Sequence, residues 1–220
     1  MGDLKLFRDR VEAGRMLAGE LKRYAGSDDV LVLALPRGGV PVAFEVAKAL
    51  RAPLDVFLVR KLGVPGEEEL AMGAVASGGV RVLNKDVVQW HRIRRSTIES
   101  VAQREQLELE RRERLYRHGR PMPKISNMTI ILVDDGLATG ATMRAAVTAL
   151  RSYNPSRIVI AVPTGPPDTC RLFQDEAEAV VCATTPEPFW AIGSWYEDFR
   201  QTTDEEVQSF LDRAAAKPAA

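Results

Sequence analysis

The chain has 220 residues, with 30 lysines and arginines against 30 aspartates and glutamates, so its formal net charge is zero. With 45% hydrophobic and 27% charged residues it has the mixture of an ordinary globular domain, which excludes a disordered or collagen-like chain. The charge balance argues against a general nucleic-acid binder, which needs a cationic excess to neutralise phosphates. One domain over residues 1–220 is expected, long enough to bury a core without staples. Cys170 and Cys182 form no C-x-x-C pair, and His91 and His118 complete no zinc pattern with them. Both read as structural thiols in a reducing compartment. No apolar run reaches the ~18 residues of a membrane helix, and the opening MGDLKLFRDR lacks the apolar stretch of a signal peptide. A soluble, cytoplasmic protein with no membrane partner is expected.

In chain order, Phe7, Val11, Gly14, Leu17, Leu21 and Tyr24 recur at steps of three and four, which predicts an amphipathic helix. Val30–Leu35 is a continuous apolar run, the pattern of a strand buried on both faces. Pro36-Arg37-Gly38-Gly39 interrupts it, and Val40–Leu50 reads as a helix. A second strand, Val56–Val59, ends at Arg60-Lys61. The segment LGVPGEEELAMG (Leu62–Gly73) is turn-rich and acidic and reads as a loop. Ala74–Ala76 and Val80–Leu83, around Gly78-Gly79, suggest a hairpin. Residues 87–117 have no Pro or Gly and predict one long inserted helix. Glu108/Arg112, Glu110/Arg114 and Glu113/Arg117 would support it at about 0.2–0.5 kcal/mol each. Its apolar stripe (Trp90, Ile93, Thr97, Val101) fades after Ala102, so the later turns are expected in solvent or on a partner.

Met128–Val133 predicts a third strand, followed by Asp134–Thr142 and a helix to Tyr153. Ile158–Val162 is a fourth strand, Thr164–Pro167 a turn, Asp168 the cap of a short helix, and Val180–Ala183 a fifth strand. An Ala-rich tail, 214–220, should fray. Strands alternating with helices predict an α/β fold. It is a mainly parallel, five-stranded twisted sheet with helices on both faces, plus a small hood at about 184–200 and the long inserted helix. Ligands in such sheets bind beyond the carboxyl ends of strands. Those ends are Pro36–Gly39, Arg60-Lys61, Asp134–Thr142 and Thr164-Gly165.

Two carboxylates at the exit of a buried strand are costly unless they bind something. After Asp134 and Asp135 come Gly136 and Gly140 among the small residues Ala138, Thr139, Ala141 and Thr142. Exposed amides and hydroxyls at a helix N-terminus bind phosphate. No Lys follows the glycine, so this is not the nucleotide-hydrolase P-loop, and G-x-G-x-x-G is absent. The implied ligand carries a phosphate close to groups that carboxylates recognise, such as sugar hydroxyls.

ILVDDGLATGAT resembles the 5-phosphoribosyl-1-pyrophosphate (PRPP) motif of type I phosphoribosyltransferases. In the same order, LPRGGVP resembles their pyrophosphate loop, VRKLGVP the start of their flexible catalytic loop, and PFWAIGSWYEDFR their base-binding hood. The overall likeness is to bacterial phosphoribosyltransferase-domain proteins of undefined base. The long helix has no counterpart in the best-known members. The resemblance implies a Mg²⁺-dependent transfer of the 5-phosphoribosyl group from PRPP to a small nitrogenous base, releasing pyrophosphate. It gives Asp134, Asp135, Arg60 and Lys61 catalytic roles, with the two acids on the ribose hydroxyls and the two cations facing pyrophosphate. Gly136, Ala138, Thr139, Gly140, Ala141 and Thr142 complete the PRPP site around the 5′-phosphate. Arg37, Gly38 and Gly39 would hold pyrophosphate, with Pro36-Arg37 as the candidate cis peptide. Mg²⁺ would be held mainly by PRPP, with Asp134 or Asp135 as the protein's contribution. A homodimer is expected by the same likeness.

Leu62–Met72, with Gly63, Gly66 and Gly73 as hinges, is either a water-excluding lid or a plain surface loop. In the hood, Trp190 would stack on the base, with Ala191 and Ile192 in backbone contact. The other reading of its aromatics is an apolar patch at a subunit contact. The 6-oxopurine enzymes place a Lys at the end of the fourth strand, where this chain has Pro163 and Thr164, so hypoxanthine and guanine are not expected substrates. A regulator that senses PRPP or a nucleotide without turnover is the alternative function.

Overall fold

The computed structural model describes residues 7–216, apart from the side chain of Glu69. Residues 217–220 of the expected frayed tail, and most of the opening stretch, lie outside the described residues. In chain order the elements are α1 (Arg10–Glu20), β1 (Val30–Ala34), α2 (Gly39–Leu50), β2 (Leu54–Val56), β3 (Val59–Val64), β4 (Glu67–Ala76), β5 (Val80–Leu83), α3 (Lys85–Trp90), α4 (Arg95–Arg117), β6 (Thr129–Val133), α5 (Ala141–Arg151), β7 (Arg157–Thr164), α6 (Pro167–Leu172), β8 (Ala179–Thr184) and α7 (Asp204–Ala215).

One sheet forms in the order β2-β1-β6-β7-β8, parallel throughout. The expected second strand, Val56–Val59, is corrected: β2 ends at Val56 and Val59 opens β3 of a separate three-stranded sheet, so Arg60 and Lys61 lie inside β3 and not at a carboxyl end of the parallel sheet. Side chains alternate across the plane of the parallel sheet. Val32, Ala34, Ile131, Val133 and Val159 face a core shared with α1, α2, α4 and α7. Leu31, Leu33, Ile130, Leu132 and Ile160 face a second core with Met143, Val147 and Leu150 of α5 and Phe173. Register does the rest. Ala34 lies opposite Val133, and the Leu35 amide donates to the Val133 carbonyl (2.8 Å). The Pro36–Gly39 turn and the Asp134–Thr142 turn therefore leave the sheet side by side.

Four further expectations, and one helix boundary, are corrected. First, the Leu62–Gly73 segment is no loop, because β3 and β4 pair antiparallel and β5 adds a third strand. The turn between β3 and β4 falls at Gly66, in the left-handed region (φ +86°). Gly63 and Gly73 are not hinges. A Cβ on Gly73 would lie 2.3 Å from the Val82 carbonyl oxygen and one on Gly63 2.7 Å from that of Glu68, so they permit close strand approach. Second, the long helix is broken. α3 ends at Trp90, Arg92 adopts φ +48°, and α4 starts at Arg95.

Third, the apolar stripe does not fade. Trp90 is 87% exposed, whereas Leu109 and Tyr116 in the later turns are fully buried. Those turns pack within the chain, and Gln208 of α7 donates to the Leu115 carbonyl (2.8 Å). Fourth, the tail's first residues, Ala214 and Ala215, belong to α7, which starts on a reciprocal Thr203–Glu206 cap. The first helix also starts later than predicted, at Arg10, because the Asp9 carboxylate accepts from the Glu12 amide and caps it. Among the described residues no helix is long and apolar enough to cross a membrane.

Candidate active site

The diacid turn begins where β6 ends. Gly140 takes φ +75° and opens α5. The Leu137 amide donates to the Thr164 carbonyl (2.8 Å) and the Arg144 amide to the Gly140 carbonyl (2.8 Å). Between them, among the described residues, the amides of Ala138, Thr139, Gly140, Ala141, Thr142 and Met143 have no acceptor within the chain. Ala138, Thr139, Ala141 and Thr142 are exposed. The turn is open, and its donors sit at the positive end of an 11-residue helix.

Beside it, the peptide Pro36-Arg37 is cis, at the bond singled out from sequence. The Gly39 and Val40 amides bond back to Leu35 and Arg37, leaving those of Arg37 and Gly38 without a backbone acceptor among the described residues. The loop lies hard against the diacid. A Cβ on Gly39 would fall 2.9 Å from the Asp134 Cα, and one on Gly38 2.0 Å from Asp135 Oδ2. Glycine is required at both positions by space.

The two carboxylates differ. Asp135 is 8% exposed, and its Oδ2 accepts from Arg10 Nε at 2.7 Å. Its backbone carbonyl accepts from the Tyr196 hydroxyl at 2.5 Å. Asp134 is only half-buried. Its Oδ1 accepts from the Asp135 amide (2.9 Å), and Oδ2 has no partner among the described residues. Burial, reinforced by the charge of Asp135, pushes the Asp134 carboxyl well above the usual carboxylate range. Burial also raises that of Asp135, against the opposing pull of Arg10.

The other expected residues are more scattered. Arg60 turns toward α4, where its guanidinium reaches Glu105 Oε2 at 2.5 and 2.9 Å. No hydrogen bond among the described residues joins it to the diacid turn. Lys61 is exposed on the opposite face of β3. Arg37 faces Asp204 of α7 (3.6 Å), which also accepts from the Tyr116 hydroxyl of α4 (2.6 Å). In the hood, Ile192 rests on the turn, because a Cβ on Gly136 would fall 2.5 Å from its Cγ2. Ala191 is exposed and Trp190 is 82% exposed. Thr164 is fully buried with its hydroxyl unpartnered.

Cys170 and Cys182 form a disulfide between α6 and β8, which corrects their reading as free thiols. α6 also buttresses the turn, since Thr169 Oγ1 donates to the Ala138 carbonyl (3.1 Å). Arg10, Glu105 and Asp204 are residues the sequence did not single out, and Tyr196 reads there only as one of the hood's aromatics. Each acts through a partner at least 45 positions away, beyond the reach of local periodicity.

A family model described as the phosphoribosyl transferase domain matches residues 6–196. The chain belongs to the phosphoribosyl transferase domain family. Relatives of this phosphoribosyl transferase domain include "Putative phosphoribosyl transferase Rv0571c" of Mycobacterium tuberculosis strain H37Rv. It is 50% identical over 211 residues, covering 96% of this chain and 47% of that protein. Its counterpart in strain CDC 1551 matches equally. The chain thus spans about half the length of the curated relatives it matches (47%). Among solved structures, TT1426 from Thermus thermophilus is 42% identical, with a TM-score of 0.85 over 96% of this chain and 100% of that one. AQ2163 from Aquifex aeolicus, 12% identical with a TM-score of 0.50 over 84% and 78% of the two chains, shares the fold alone.

Proposed function

We propose that this domain moves the 5-phosphoribosyl group of PRPP to a nitrogenous base with release of pyrophosphate. The observation that carries the reading is the adjacency of three unspent sets of groups. They are the amides from Ala138 to Met143, the amides of Arg37 and Gly38, and the half-buried carboxylate of Asp134. A sugar bearing a phosphate at one end and a pyrophosphate at the other fits that spacing of donors around acids.

In this reading the 5′-phosphate takes the amides and hydroxyls of Thr139 to Thr142, with Gly136 and Ala138 shaping the turn. The diacid turn, with the unpartnered Oδ2 of Asp134, takes the ribose hydroxyls. Pyrophosphate lies on Arg37, Gly38 and Gly39. The bond from C1′ to pyrophosphate oxygen breaks with its electron pair leaving on pyrophosphate. The base nitrogen then donates a pair to C1′ and passes its proton to the released pyrophosphate. Positive charge on the sugar is met by the carboxylates, and negative charge on the leaving group by amides and guanidinium. Among the described residues no cluster of three or more metal-ligating side chains exists, and the free oxygen of Asp134 fits an ion held chiefly by substrate oxygens. Mg²⁺ would neutralise pyrophosphate charge when bound. Trp190, Ala191 and Ile192 would meet the base. With Pro163 and buried Thr164 in place of a lysine, we take the acceptor to be other than hypoxanthine or guanine. The same reading carries a cytoplasmic homodimer, tested by sedimentation.

One observation favours a second reading, a sensor without turnover: Arg60 is already neutralised by Glu105. Calorimetry with PRPP and Mg²⁺, followed by pyrophosphate assay against a panel of bases, separates the two. Base-dependent pyrophosphate release establishes the transferase, and tight PRPP binding without release establishes the sensor. Unchanged PRPP affinity in a folded Asp134→Asn, Asp135→Asn double variant removes both.

A further inference from the structure

Three segments that are remote in sequence meet at one side chain. Arg10, in the first turn of α1, donates from Nε to Asp135 Oδ2 (2.7 Å) and from Nη1 to the Arg200 carbonyl (2.8 Å). Its guanidinium lies 4.0 Å from the Phe199 ring centroid and 5.9 Å from that of Tyr196. Tyr196 in turn donates to the Asp135 carbonyl. The side chains of Arg10 and Asp135 are 10% and 12% exposed. Gly38 packs against the same carboxylate oxygen, where a Cβ would be 2.0 Å from Asp135 Oδ2 and 3.3 Å from Arg10 Nε. Arg10 therefore touches the diacid and the hood at once, through the acid on which Gly38 packs.

We propose that Arg10 is a positioning residue that assigns the two acids different work: it pins Asp135 as an anchor between Gly38 and the hood, and so leaves Asp134 as the carboxylate that faces the ribose. The inference rests on the function proposed above and deepens it. The chemistry favours arginine specifically. A planar guanidinium donates in two directions while stacking on an aromatic face. A lysine ammonium would keep the charge but not the fork. The geometry also separates the acids, because Oδ2 of Asp135 is spent on Arg10 whereas Oδ2 of Asp134 has no partner among the described residues.

The test is a double-variant cycle on PRPP–Mg²⁺ affinity, read by calorimetry on the full chain. The variants are Arg10→Gln, Asp135→Asn and the two combined, with Asp134→Asn beside them. If Arg10 acts through Asp135, each single change weakens PRPP binding about tenfold or more and the combination is no worse than the stronger single. Arg10→Lys should recover only part of the loss, and Asp134→Asn should abolish binding alone. Losses that multiply in the double variant, or full rescue by lysine, overturn the proposal. Amide exchange without ligand keeps the two readings apart. Arg10→Gln should raise exchange at the bonded amides of Gly39 and Val40 and of Tyr196, Glu197 and Asp198 together while leaving β7 protected. Unaltered exchange in both segments refutes the anchor whatever PRPP does. A wild type that binds no PRPP overturns the function and the ribose role of Asp134, while exchange still decides whether Arg10 ties the segments.

Discussion

Replacing Gly38 with alanine is a sharp test of how the site is packed. Gly38 has φ −60° and ψ −34°, a helical conformation that alanine prefers. On backbone grounds alone the change should stabilise the protein by about 0.4–1 kcal/mol. Space predicts the opposite. The new methyl would stand 2.0 Å from Asp135 Oδ2 and 2.7 Å from its Cγ, where ordinary contact starts at 3.4 Å. The carboxylate cannot rotate away without leaving Arg10, a charge-assisted bond at 2.7 Å in a nearly closed environment. Losing such a bond costs about 1.5–3 kcal/mol, and a buried charge left unpaired costs more. A net loss of about 2–4 kcal/mol is expected. At this chain length that lowers the melting temperature by roughly 4–16 °C. Differential scanning fluorimetry and urea unfolding both measure it. The control is the same substitution in an Asp135→Ala background, where the clash is gone and the cost should largely vanish. A Gly38→Ala protein that melts at or above the wild-type temperature would refute the packing argument.

Other outcomes follow from the same geometry. Arg60→Ala leaves Glu105, 9% exposed, with Arg104 alone, and should destabilise by about 1–3 kcal/mol in urea unfolding whether or not the protein turns over. Trp190→Ala should leave the melting temperature within about 1 °C because the ring is already in water, and should weaken base binding in competition calorimetry. Cys170→Ser opens a bridge whose cysteines are 12 residues apart. It should cost about 3 kcal/mol on the loop-entropy model, and intact mass after alkylation should show no free thiol in the untreated wild type. Tyr116→Phe removes the hydroxyl bond to Asp204 and should cost about 1–2 kcal/mol by the same unfolding assay.

What was legible in the sequence follows from which forces act locally. Strands buried on both faces leave continuous apolar runs, so Val30–Leu35, Met128–Val133 and Ile158–Val162 identified the sheet. The twin acids and small residues after β6 mark the candidate site, and an open turn there is what the chain has. The hairpin was hidden because Pro65-Gly66 and three glutamates carry low strand propensity, and pairing with Val59–Val64 overrides it. The break in the long helix lies at Arg92, with no glycine or proline to mark it. Arg10 read as part of a solvated helix face because its partner is 125 residues away. The disulfide was equally invisible, since spacing alone does not pair two cysteines.

Helix α4 has a mechanical consequence. Its 23 residues make a rod of about 34 Å, gripped by the hairpin at Glu105 and by α7 at Tyr116. Asp204, the residue that holds Tyr116, also holds Arg37. Tilting the hairpin by moving this rod would therefore tug on the Pro36–Gly39 turn, through a grip some 16 Å further along the helix at about 1.5 Å per residue. The strut makes the hairpin and the Pro36–Gly39 turn parts of one lever.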